Sequence, residues 1–112
     1  MIDIKRIKEG QIDVIVIVGE VDASSSILLD NAIKETIENG SRKIMIDCSS
    51  LDYISSAGLG VFMSYIEEMK KNKVNFVVSG LNEKVRHVFE ILGLDQLLKI
   101  TDTKEDGIKS LK

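Results

Sequence analysis

The 112-residue chain has a single cysteine, Cys48, and a single histidine, His87. Two soft ligands are too few for a zinc or iron site, so neither a metal nor any other cofactor is expected. Cys48 lies beside an apolar run and reads as a small buried hydrophobe, not a reactive thiol. Positive charge is in deficit as well: 15 Lys and Arg against 18 Asp and Glu give a formal net charge of -3, with both signs mixed along the chain. No basic stripe offers itself to a phosphate backbone, which excludes nucleic acid as a partner. No run approaches the roughly 18 apolar residues of a membrane span, and the opening stretch MIDIKRIKEG has no apolar core of signal-peptide length. A cytoplasmic protein with no membrane partner is therefore expected. Internal repeats, low-complexity runs and linkers are missing too, so residues 1–112 are expected to form one domain.

What remains is ordinary globular material, 44% hydrophobic and 29% charged, long enough to build a core. Residues 2–7, IDIKRI, alternate as a half-exposed edge strand does, and 12–22, IDVIVIVGEVD, is branched and apolar enough to be buried on both faces. The following ASSSILLDNAIKETIENG predicts a helix, with its serines as N-cap, Leu29, Ala32, Ile33, Thr36 and Ile37 at helical spacing, and Gly40 as its stop. A second buried strand is expected at 43–47, KIMID, then a polar loop, CSSLDYIS. Leu59, Phe62, Tyr65, Ile66 and Met69 mark a second helix to about Lys71. Strand 75–79, a helix over 83–92 closed by Gly93, a short strand in LLKITD and a terminal helix complete the pattern. Strands alternating with helices predict an α/β fold: a mixed, largely parallel sheet of about four to five strands covered by about four helices.

Against this pattern YISSAGLG, residues 53–60, stands out. It sets two serines and two glycines at the start of a helix, although an interior glycine costs about 0.5–1 kcal/mol relative to alanine. Four readings compete. Ser55 or Ser56 can be a plain N-cap, which leaves the glycines unexplained except through close packing. A nucleotide phosphate loop needs a longer glycine string and a Lys-Ser/Thr pair that the chain lacks. A nucleophilic serine needs the flanking glycines of an elbow and a base, for which His87 is the only imidazole. Finally, a serine in the first turn of a helix can itself accept phosphate, since the free N–H groups and the positive helix end favour the dianion.

Three blocks in order, VGEVDASSS, IMIDCSSLDYISSAGLGVF and FVVSGLNEKVRHVFEILGLDQLLKITDT, give the chain a likeness over nearly its whole length. It resembles the STAS-domain anti-sigma factor antagonists of bacterial partner-switching systems. The resemblance implies a non-catalytic switch that, unmodified, binds an anti-sigma factor serine kinase and so frees a sigma factor; the alternative with the same fold is a STAS scaffold in another bacterial signalling assembly that does not act on a sigma factor. Phosphorylation by that kinase ends the binding, and a PP2C-type phosphatase reverses it. The family's string is Asp-Ser-Ser/Thr-Gly-Leu-Gly. Aligned on Gly58-Leu59-Gly60, it sets Ser55 at the aspartate, Ser56 at the first serine and Ala57, which cannot accept phosphate, at the second hydroxyl. Ser56 is thus the implied acceptor, with Ser55 as the alternative. Asp22 and Ser55 to Gly60 (Ser55, Ser56, Ala57, Gly58, Leu59 and Gly60) are the implied partner-binding residues, with capping the other role for Asp22 and core packing the other role for the glycines. No large surplus apolar face is evident, so a monomer is expected.

Overall fold

The computed structural model describes residues 2–112. Strand β1 (Ile2–Glu9) turns at Gly10, whose φ of 63° lies in the left-handed region, into β2 (Ile12–Val21), and the two pair antiparallel. Strands β3 (Lys43–Ile54), β4 (Asn75–Ser79) and β5 (Lys99–Thr101) then add in parallel, in the order β1-β2-β3-β4-β5. Between them run α1 (Ser26–Glu38), α2 (Ser56–Lys71), α3 (Glu83–Ile91) and the single turn α4 (Leu94–Leu97), and α5 (Lys104–Leu111) ends the chain. The described residues thus form five strands and five helices, α4 being the one that periodicity does not announce because it is too short to show a stripe.

The two-residue period of the strands sorts their side chains between two cores. Ile15 and Ile17 of β2, Ile44 and Ile46 of β3, and Val78 of β4 face α1 to α4, where Leu29, Ile33, Phe62, Phe89 and Leu94 meet them. Phe62 packs edge-on against Phe76 and Phe89, with ring centroids 6.3 and 5.5 Å away. On the opposite face Ile12, Val14, Met45 and Val77 are covered by Leu111 and Ile108 of α5. Gly107 lets α5 come down onto that face: a Cβ there would collide with Ser79 Oγ and lie 2.6 Å from Met45 Sδ.

One expected loop is strand. Residues 48–54 continue β3, pairing Val18 with Ser50, Gly19 with Leu51, Glu20 with Tyr53 and Val21 with Ile54. Between Val16 and Val18, and again between Gly19 and Glu20, β3 uses one residue more than β2. These two bulges break the alternation, so burial falls on Cys48, Leu51 and Ile54, every third residue. A segment with that spacing looks like neither strand nor helix in sequence.

Candidate functional site

The extended β3 delivers the chain directly into the serine corner. Ser55 N–H donates to Val21 O at 2.7 Å, which ties the corner to the end of β2. With φ -84° and ψ 171° Ser55 is still extended, and its Oγ accepts from Gly58 N–H at 3.2 Å. Ser55 is therefore the N-cap of α2. Ser56 opens the helix, is exposed, and its hydroxyl makes no hydrogen bond among the described residues. At a helix start the N–H groups of Ser56 and Ala57 have no intrahelical acceptor, so free donors and the positive end of α2 surround that hydroxyl.

The turn before α1 is built by Asp22 and not by the serines alone. Ser25 sits at the cap position in a helical conformation without a side-chain cap bond. Asp22 Oδ1 instead accepts from Ser25 N–H at 2.8 Å, Ser24 Oγ at 2.8 Å and Ser25 Oγ at 2.9 Å, while Asp22 N–H donates to Ser25 Oγ at 2.8 Å. These bonds, led by the Ser25 amide, hold the Asp22 carboxyl down at about 2. Asp22 is thus an exposed, firmly ionised carboxylate, fixed beside the residue whose carbonyl carries Ser55.

The two glycines differ. A Cβ on Gly58 would lie 2.7 Å from both Ile54 Cγ1 and Val21 Cγ1, so this buried glycine lets α2 seat on the strand ends. Leu59 is buried with it. Gly60 is exposed with nothing within 4 Å of where its Cβ would be, so packing does not demand it. Ser56, Gly60 and Met63 follow one another at helical spacing on one side of α2, and Met63 is exposed. Ile27 and Leu28 in the first turn of α1 and Tyr53 at the end of β3 add further exposed apolar groups, and Glu20, Asp22 and Asp52 supply acid. The structure therefore brings Asp22, Ser56, Ala57 and Gly60 to one surface, leaves Ser55 half-buried beneath it, and gives Gly58 and Leu59 to the core.

The STAS domain family model matches residues 4–107. The chain belongs to this family. An anti-sigma-B factor antagonist of Staphylococcus aureus is 25% identical to it over 87 residues, 78% of this chain and 81% of that one. Among solved structures, an anti-sigma factor antagonist from Mycobacterium paratuberculosis superposes with a TM-score of 0.92 at 22% identity, covering 99% of this chain and 94% of the other. The Bacillus cell fate determinant SpoIIAA in its phosphorylated form superposes at 0.74 with 19% identity, over the full length of both chains. This STAS domain thus shares its fold with solved anti-sigma factor antagonists.

Among the described residues no three His, Cys, Asp or Glu side chains gather as a metal would need, and no helix is long and apolar enough to cross a membrane. His87 is exposed on α3, and Cys48 is fully buried with its thiol pushed up by burial and by Asp47. Sequence reasoning missed the apolar rim of the STAS corner. Its signal was available: Ile27 and Leu28 fall outside the Leu29, Ala32, Ile33, Thr36 stripe of α1, and Met63 outside that of α2.

Proposed function

We propose that this STAS domain is the antagonist of a partner switch: unmodified, it binds an anti-sigma factor serine kinase through the Ser56 corner, and phosphate on Ser56 ends the binding. The observation that carries the reading is the division of labour between two adjacent serines. Ser55 is committed to the cap of α2, whereas Ser56 has a free, exposed hydroxyl at the positive end of that helix. The exposed Gly60, which the fold does not need, fits an approach by a partner's backbone along the same side of α2. The rim of Ile27, Leu28, Tyr53 and Met63 provides the apolar area, and Asp22 and Ala57 complete the contact surface.

Phosphate brings about -1.5 to -2 charges to a corner that already carries Glu20, Asp22 and Asp52. Docking over it must then desolvate a dianion with no compensating cation from this surface. A PP2C-type phosphatase would restore the binding form, the domain would span residues 1–112 as a cytoplasmic monomer, and the protein itself would catalyse nothing. The names of the Staphylococcus and Mycobacterium relatives support the antagonist role, and the phosphorylated SpoIIAA structure supports the modification.

The test is incubation of wild type, Ser55→Ala and Ser56→Ala with the kinase and ATP, read by intact mass. Ser56→Ala should take up no phosphate and keep wild-type stability. Ser55→Ala should remain a substrate but lose about 1 kcal/mol of stability with its cap. Phosphorylation of Ser56→Ala at the wild-type rate would overturn the assignment.

A further inference from the structure

The end of the molecule opposite the Ser56 corner has a different chemistry. The parallel register of β3 and β4 sets Lys43 opposite Asn75, whose N–H donates to Arg42 O at 2.8 Å. Two tracts far apart in sequence, Arg42-Lys43 and Lys70-Lys71-Asn72-Lys73, therefore meet where these strands begin. None of their five cations is in an ion pair among the described residues. No acid occurs in residues 39–46 or 69–82. Helix α3 starts after the far end of β4 and runs back, so its last residues arrive at this same end, and α4 follows there. Ile91, Leu92 and Leu97 are 68%, 50% and 50% exposed. Leu97 and Lys70 line one cleft with Ile66 and Val74, which joins the apolar and basic halves.

We propose that this basic and apolar end attaches the protein to the surface of an anionic lipid bilayer. Four of the five cations are lysines, flexible point charges suited to a diffuse layer of headgroups, and lysine is depleted in protein–protein interfaces. The aromatic anchors that dominate such interfaces are missing here: the two tyrosines lie elsewhere, at Tyr53 and Tyr65, and the three phenylalanines are buried. Exposed aliphatic side chains beside lysines instead match a headgroup layer over hydrocarbon. Glu38 and Asp95 lie toward the same end, Glu67 and Glu68 of α2 precede Lys70, and Glu90 faces Arg86 at 4.0 Å, so acids border the basic tracts but none lies within them. The expectation of no membrane partner rests on the lack of a spanning segment, which a surface attachment does not need. The molecule measures 29 × 25 × 24 Å, so a domain docked by this end presents the Ser56 corner to solution.

The test is co-sedimentation of the full chain with vesicles of equal phosphatidylglycerol and phosphatidylcholine, and with phosphatidylcholine alone. Each cation near an anionic surface is worth about fivefold in partitioning. Wild type should therefore favour the anionic vesicles at least tenfold at about 0.05 M salt and release them near 0.5 M. The variant K70Q/K71Q/K73Q should lose at least tenfold while keeping its melting temperature within a few degrees, and Ser56→Ala should bind as wild type, which separates this result from the fate of the switch. Equal binding to both vesicles, wild-type binding by the triple variant, or retention on an acidic polypeptide without vesicle binding would overturn the proposal.

Discussion

Asp22 and the two glycines show how single residues set this corner. The carboxyl of Asp22 is lowered by hydrogen bonds that exist only in the folded turn, so its folded value lies below its unfolded one. The stabilisation it gives is fully present above the ordinary aspartate range, near 4, and is lost as pH falls through about 2. A carbon-detected NMR titration should place the Asp22 midpoint near 2, and a midpoint near 4 would mean that the Ser24 and Ser25 bonds do not hold in solution. The glycines make a sharper pair. Gly58→Ala must push Val21 and Ile54 aside and should cost about 1–3 kcal/mol, measured by urea unfolding. Gly60→Ala meets open space and should raise stability by about 0.5–1 kcal/mol, yet weaken partner binding. A stabilised Gly60→Ala that binds like wild type would remove the case for a close approach at that position.

At the scale of elements, the corner depends on how α1 and α2 stand relative to each other. Tyr65 of α2 donates to the Asp30 carboxylate of α1 at 2.5 Å, and the phenol is pushed well above its usual range by burial and then by Asp30. Tyr65→Phe should lower stability by about 0.5–1.5 kcal/mol, read as a shifted urea midpoint with an unchanged slope; an unchanged midpoint would mean that packing alone sets the two helices. The elements themselves were largely legible. Strand 75–79 and the reach of α2 to Lys71 follow from periodicity, because each has one uninterrupted apolar pattern. The second half of β3 was not, since its bulges move burial to Cys48, Leu51 and Ile54 and its polar residues imitate a loop. The start of α1 was legible as a helix start but not in mechanism. Three serines invite a serine cap, whereas the turn uses Asp22, three residues upstream of Ser25, as the common acceptor.

The whole molecule separates its chemistry between two ends. The carboxyl ends of β2 and β3 hold the acidic, partly apolar Ser56 corner, and the starts of β3 and β4 hold the basic tracts. The family likeness and the serine string made the first end readable in sequence. The second was hidden, because its cations lie about thirty residues apart until the β3–β4 register joins them. Phosphate on Ser56 is expected to act locally. Helix N–H groups and the dipole of α2 offset its charge by about 0.3–1 kcal/mol, so the free domain keeps its fold, whereas an interface over the corner loses roughly 1–3 kcal/mol. The measurement that tests this most directly is titration of the kinase partner with the unmodified and the Ser56-phosphorylated protein, alongside their thermal midpoints. A local electrostatic block predicts affinities that differ by about tenfold to a hundredfold and midpoints within a few degrees. Equal affinities, or a midpoint that collapses on phosphorylation, would contradict it.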